Sequence, residues 1–155
     1  MSPDRSGNLL HFLNMLESCA KIRGYAENFS DAEGFFESKD QLHYNACLAL
    51  LLNIGESAGK LSPEIVALFP SVAWEKIRGF RNRVAHDYPG LDMVVIFKTI
   101  AEFIPALETT LYGLVGQEHA ADAFDPEEWE AARSSSFYRH VDFSRWGSVE
   151  RGHDN

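Results

Sequence analysis

Periodicity constrains this chain most: its apolar residues return at intervals of three and four, and no stretch alternates convincingly as a half-buried strand must. Over residues 8–27, Leu9, Leu10, Phe12, Leu13, Leu16, Ala20 and Ile22 fall near one helical face, predicting a first helix that ends by Gly24 or shortly after. Ser30-Asp31-Ala32-Glu33 has the form of a capping box and opens a short helix to about Phe36. Ser38-Lys39-Asp40-Gln41 repeats that form and starts a long helix to about Lys60, with Leu42, Ala46, Ala49, Leu50 and Ile54 on its buried side. Ser62-Pro63 pairs an N-cap with a proline at the first helical position, and that short helix ends near Phe69-Pro70. Ser71 is placed to cap a helix through Trp74, Ile77 and Phe80 to about Ala85. Pro89-Gly90 reads as a turn, after which Asp92 caps a helix to about Leu114, bent locally at Pro105, which lacks a backbone donor. The expected fold is all-α, an antiparallel four-helix bundle with short accessory helices.

After Gly116 the character changes, which divides the chain into a helical bundle over residues 1–116 and an acidic, aromatic-containing C-terminal extension over 117–155. Asp125-Pro126-Glu127-Glu128 starts a short helix through Trp129 to Arg133, broken by Ser134-Ser135-Ser136. Phe137, Tyr138, Phe143 and Trp146 follow among charges, either to pack back on the bundle or its mate, or to dock on a partner; the last five or so residues are expected to be disordered. The extension holds nine acidic and four basic residues, so it carries −5 of the formal net charge of −9. Such a balance argues against indiscriminate nucleic-acid binding.

With 155 residues and 45% apolar composition, the chain can bury a real core without a disulfide scaffold. Cys19 and Cys47 lie in apolar surroundings of predicted helices, which points to buried free thiols and a reducing, cytoplasmic setting. The N-terminus has no apolar signal core, and the longest apolar run, Ala46 to Leu52, is far too short to span a bilayer.

The chemistry concentrates in Arg78-Gly79-Phe80-Arg81-Asn82-Arg83-Val84-Ala85-His86-Asp87-Tyr88, where three guanidiniums, an imidazole and a phenol stand within eleven residues. Arginine offers a rigid fork of donors suited to phosphate oxygens, and histidine exchanges a proton near neutral pH. Together they suffice to cleave a phosphodiester without a metal. On an ideal helix Arg81 and His86 lie about 140° apart, at about 100° per residue, whereas Arg81 and Tyr88 nearly share a face. Either the helix ends before His86 and the loop turns it back, or a second subunit completes the site.

Each of these residues also has a plainer role open to it. His86 could satisfy a carbonyl at a helix end, and Arg78 and Arg83 could be solvated cations beside a helix C-terminus. Glu56, a carboxylate in an otherwise apolar helix, could pair with an arginine of the motif across the bundle. His11, His43, His119, His140 and His153 show no metal-ligand spacing, and no glycine-rich phosphate loop is present; neither metal nor cofactor is expected.

The pattern Arg81-x4-His86-x-Tyr88, with Asn82 after the arginine, resembles the signature of the HEPN superfamily, and specifically of its HepT-like toxins. Asn53-Ile54-Gly55-Glu56-Ser57-Ala58 is similar to that family's Asn-Ile-Gly-Glu-Ala block, and Phe69-Pro70 with Trp74-Glu75-Lys76-Ile77 resembles its lead-in to the motif. The likeness spans roughly residues 8–115. Ser57 stands where alanine is common, Arg83 where an apolar residue is usual, and Asp87 where glutamate is common.

The resemblance implies a HEPN-like bundle that works as a homodimer with two motifs facing one cleft. It implies the toxin of a bacterial toxin–antitoxin pair acting on RNA as a metal-independent endoribonuclease. Arg81 would neutralise charge on the phosphate and His86 would serve as general acid or base, with Asn82 orienting His86 or the phosphate and Arg78 and Arg83 in support. It further implies an MntA-type nucleotidyltransferase antitoxin that adds AMP to Tyr88; the phenol is otherwise open to packing or phosphate contact. A rival reading keeps the helical module but not the turnover: a non-catalytic nucleotide- or partner-binding protein working with a nucleotidyltransferase.

Overall fold

A computed structural model of the protein describes residues 7–86 and 90–147. Those residues form helices and turns without a strand. The long helices are α1 (Asn8–Ala26), α3 (Leu42–Gly59), α5 (Trp74–His86) and α7 (Ile104–Ala120). Between and after them lie α2 (Ala32–Glu37), α4 (Pro63–Leu68), α6 (Met93–Lys98) and α8 (Pro126–Arg133). The result is the expected all-α bundle with short accessory helices and a C-terminal extension.

The core is built around α1, which packs on α3 and α7, while α3 in turn packs on α5. Phe12, Leu13, Met15, Leu16, Cys19 and Ile22 of α1 are wholly enclosed. Leu10, expected on that face, is partly exposed instead. Polar ties cross the same seams: Asn53 of α3 donates to Ser18 Oγ at 2.7 Å, and Arg23 holds Glu108 of α7 at 3.1 and 3.3 Å. Both cysteines are buried and free.

Three local expectations are corrected. The buried stripe of α3 is Tyr44, Cys47, Leu48, Leu51, Ile54 and Ala58, whereas Leu42 is 59% exposed and Ala49 also faces outward. The unbroken apolar run from Ala46 to Leu52 offers two faces, and the packing of α1 chooses between them. Ser38 does not open α3, because Lys39, Asp40 and Gln41 all take positive φ (46°, 54° and 65°) and the helix begins after them with no side-chain cap. Nor does Ser71 cap α5; the chain first turns, Val72 N–H donating to the Phe69 carbonyl, and the Trp74 indole fixes the helix start on that same carbonyl at 3.0 Å.

The other caps are as read. Ser62 accepts from Ile65 N–H, Asp92 from Val94 N–H and Asp125 from Glu127 N–H. Within the first capping-box candidate Asp31, not Ser30, is the N-cap, accepting from Gly34 N–H at 2.7 Å. Between α6 and α7 the backbone widens into a π turn over Thr99–Phe103, ending just before Pro105. Ile104 N–H reaches back to the Thr99 carbonyl, so the irregularity sits where a proline ring crowds the preceding turn.

Helix α7 continues through Gly116 to Ala120, and the extension folds back on the bundle. Trp129 is buried, stacked on His119 with ring centroids 3.8 Å apart. The Trp146 indole donates to the Tyr112 carbonyl at 2.9 Å, and Asp142 N–H donates to the Tyr112 hydroxyl at 2.8 Å. His140 donates its backbone N–H to the buried Glu17 carboxylate at 2.6 Å and sets its ring nitrogen 3.0 Å from both oxygens. Phe137 alone of these aromatics stands almost fully in solvent. The terminal residues expected to be disordered lie outside the described residues.

Candidate active site

The candidate site is organised by how α5 is held. Ile77, Phe80 and Val84 are its buried stripe, and Phe80 packs edge-on against Phe103 at 5.7 Å. On the α3 side the contact is backbone to backbone. A Cβ on Gly55 would lie 2.9 Å from Arg81 N and 3.0 Å from the Ile77 carbonyl oxygen, so a glycine is needed for the two helices to lie this close.

That approach presents Arg78, Arg81 and Asn82, which share a face at i, i+3 and i+4, to Glu56, Gly59 and Lys60 of the α3 end. Together they line an open depression of about 400 Å3. Arg81 Nε stands 3.9 Å from Glu56 Oε1, with the two side chains 65% and 44% exposed. An exposed pair of this kind is worth about 0–1 kcal/mol, so Arg81 is free to turn toward an arriving anion. Arg78 is half-buried, and its Nε is enclosed without a hydrogen-bond acceptor.

His86 is the last residue of α5, exposed, and lies with Arg83 on the other side of the helix. These two line a second depression of about 450 Å3 with Leu91, Asp92, Val95 and Ile96 of the α6 approach. The helix therefore does not end before His86, and no loop folds that residue back on Arg81. Arg81 lines the first of these depressions and His86 the second. The structure thus brings Arg78, Arg81, Asn82 and Glu56 together, and places His86 and Arg83 apart from them across the α5 ridge. Tyr88, the candidate modification site, lies outside the described residues, as do Asp87 and Pro89 of the expected turn.

Two neighbours escaped the residue-level reading. Lys60 enters the first depression from just past the end of α3, and Asp92 borders the second while capping α6. Gly55 and Gly59, four apart on α3, were the signal for the first, since they leave that face bare.

The described residues include no group of three or more His, Cys, Asp or Glu placed to hold a metal ion, and no helix long and apolar enough to cross a membrane. The family model described as "Ribonuclease HepT-like" matches residues 15–112. Among curated proteins the chain is similar to "Putative RNase MJ1380" of Methanocaldococcus jannaschii, 27% identical over 61% of this chain and 84% of the other. It is similar to "Putative RNase TTE0752" of Caldanaerobacter subterraneus subsp. tengcongensis, 31% identical over 52% of this chain and 71% of the other. It also resembles "Probable ribonuclease HepT" of Thermococcus cleftensis, 32% identical over 41% of this chain and 57% of the other. No solved structure matches significantly. The family match takes in α3, α5 and the two depressions beside α5, and on it the chain belongs to the HepT-like ribonuclease family.

Proposed function

We propose that the protein is a metal-independent endoribonuclease and the toxin of a toxin–antitoxin pair, with Arg81 and His86 as its catalytic residues. The observation that carries this reading is that both side chains reach solvent from opposite flanks of one rigid helix in a chain of a ribonuclease family. Arg81 stabilises the charge that grows on the phosphate oxygens, the step where preorganised donors contribute most. His86 takes the proton of the attacking 2′-hydroxyl or returns one to the leaving 5′-oxygen. The products are a 2′,3′-cyclic phosphate and a free 5′-hydroxyl, so the chemistry balances without water or a metal in the first step.

The separation of the two groups across α5 favours a homodimer. In an isologous pair each motif appears twice about the axis, so Arg81 of one protomer can serve the phosphate that meets His86 of its mate. Arg83 borders the His86 depression and Arg78 and Asn82 the Arg81 depression, each in a position to hold phosphate. Control falls to a nucleotidyltransferase antitoxin that adds AMP to Tyr88, two residues beyond His86, placing a bulky anion where the substrate phosphate would sit.

The test is cleavage of RNA by purified protein. His86→Ala and Arg81→Ala should each lower the rate by at least about 10²-fold while leaving the fold intact, and excess chelator should leave the wild type active. An active His86→Ala protein, or activity lost on chelation, refutes the mechanism. Tyr88→Phe should cleave RNA yet resist neutralisation by the nucleotidyltransferase with ATP, and the wild type should carry AMP on the Tyr88 peptide. Neutralisation of Tyr88→Phe as readily as wild type removes Tyr88 from the control.

A further inference from the structure

The depression between the end of α3 and the middle of α5 holds more positive charge than Arg81 alone accounts for. Lys60, Arg78 and Arg81 meet there against the single carboxylate of Glu56, a local excess of two in a chain of net charge −9. Glu56 is 3.9 Å from Arg81, and among the described residues no ion pair engages Lys60 or Arg78. Among the described residues the Arg78 Nε is shielded from water and lacks an acceptor, an unmet donor at the edge of this depression. Gly55 lets α5 approach, and Gly59 leaves the space beside that contact open, since a Cβ there would meet nothing within 4 Å. At about 400 Å3 the depression falls in the size range of small-ligand sites, with room for a nucleotide unit of a chain passing through.

We propose that Lys60 and Arg78 form a second phosphate subsite, which holds a phosphodiester of the RNA strand flanking the one that is cut. The proposal rests on the ribonuclease reading for the identity of the ligand, and on the geometry for the site itself. Phosphate contacts of this kind set the register of the strand without reading its bases. Arg78, a planar fork, takes the flanking phosphate; Lys60, a point charge on a flexible stem at the helix end, closes over it. Arg81, three residues along the same face, is then free for the neighbouring scissile group.

The experiment measures binding apart from cleavage. A labelled single-stranded 2′-O-methyl oligonucleotide, which lacks the attacking hydroxyl, is titrated with wild type, Lys60→Gln and Gly59→Leu, and followed by fluorescence anisotropy at several salt concentrations. Gly59→Leu fills the depression while placing a better helix former on α3, so its melting temperature should not fall. Both variants should weaken binding about tenfold, and Lys60→Gln should lower the salt slope by about 0.7, the share of one phosphate of single-stranded nucleic acid. Lys39→Gln, at the opposite end of α3, serves as the charge control and should leave affinity unchanged. Wild-type binding that is absent, or unchanged in both variants, overturns the subsite. Cleavage of unmodified RNA is scored separately. Tight, Lys60-dependent binding with no cleavage would sink the ribonuclease reading and leave the subsite standing.

Discussion

Gly55→Ala offers the sharpest test of how the site is held. The added methyl would lie 2.9 Å from Arg81 N and 3.0 Å from the Ile77 carbonyl oxygen, whereas ordinary contact begins at 3.4 Å. Both atoms are helix backbone, so the strain cannot be relieved by a side-chain rotation; α3 and α5 must part by several tenths of an ångström. Overpacking of this kind costs about 1–3 kcal/mol. Alanine returns about 1 kcal/mol of helix propensity, leaving a net loss of roughly 0–2 kcal/mol by the same figures. Gly59→Ala gains the propensity with nothing in its way, so the difference between the two variants isolates the clash. At about 2–4 °C per kcal/mol for a chain of this length, Gly55→Ala should melt roughly 2–12 °C below Gly59→Ala. Thermal unfolding followed by circular dichroism reads that difference directly. Because the clash falls on the Arg81 backbone, RNA cleavage at a temperature where both variants are folded should drop in Gly55→Ala and hold in Gly59→Ala. Equal melting temperatures and equal activities would show that the α3–α5 contact is loose, and the argument that Gly55 positions Arg81 would fail.

Other expectations follow from the same packing. Trp129→Ala removes a buried indole and should cost about 3–5 kcal/mol, lowering the melting temperature by about 6–20 °C; an unchanged melt would make the extension a passive appendage. Burial pushes the Cys47 thiol up to about 12 and raises Cys19 as well, so native protein at pH 8 should resist iodoacetamide while unfolded protein takes two labels; rapid native alkylation contradicts that burial. Burial raises Tyr112 above the ordinary tyrosine range. The unfolded phenol therefore loses its proton first, and this stabilisation is complete below about pH 10 and is lost as pH rises through the folded value. Urea midpoints measured from pH 9 to 11 should fall more steeply for wild type than for Tyr112→Phe; parallel curves would exclude the contribution.

Much of the bundle was legible because local signals agreed with it. Ser62-Pro63, Asp92 and Asp125-Pro126 each opened a helix through a cap that needs no distant partner. Where the sequence offered two equivalent choices, only packing could decide. The apolar run Ala46–Leu52 could turn either face inward; Cys47, Leu48 and Leu51 are buried with α1 packed on α3, and Tyr44 before them sets its ring against Phe35 and Phe36 of α2. The apparent capping box at Ser38 failed because the chain reverses there through three left-handed residues, a path set by the docking of α2 on α3 and α6. At the site, helical geometry alone separated Arg81 from His86 by about 140°, and α5 keeps that separation by remaining helical through His86. Lys60 was not singled out, since its place beside Arg78 depends on the distance between two helices that are remote in the chain.

The way α5 is anchored also fixes what lengths of chain the site tolerates. Ile77, Phe80 and Val84 index the helix against the core, so every later residue inherits its bearing from them. One residue inserted between Phe80 and His86 would turn all that follows by about 100°, withdrawing Val84 from the interior and swinging His86 off its groove. A deletion would do the same in the opposite sense. Between Ile77 and His86 the chain can thus change its letters but not its count, and a gap in this segment would separate a working site from a merely similar helix more surely than most substitutions.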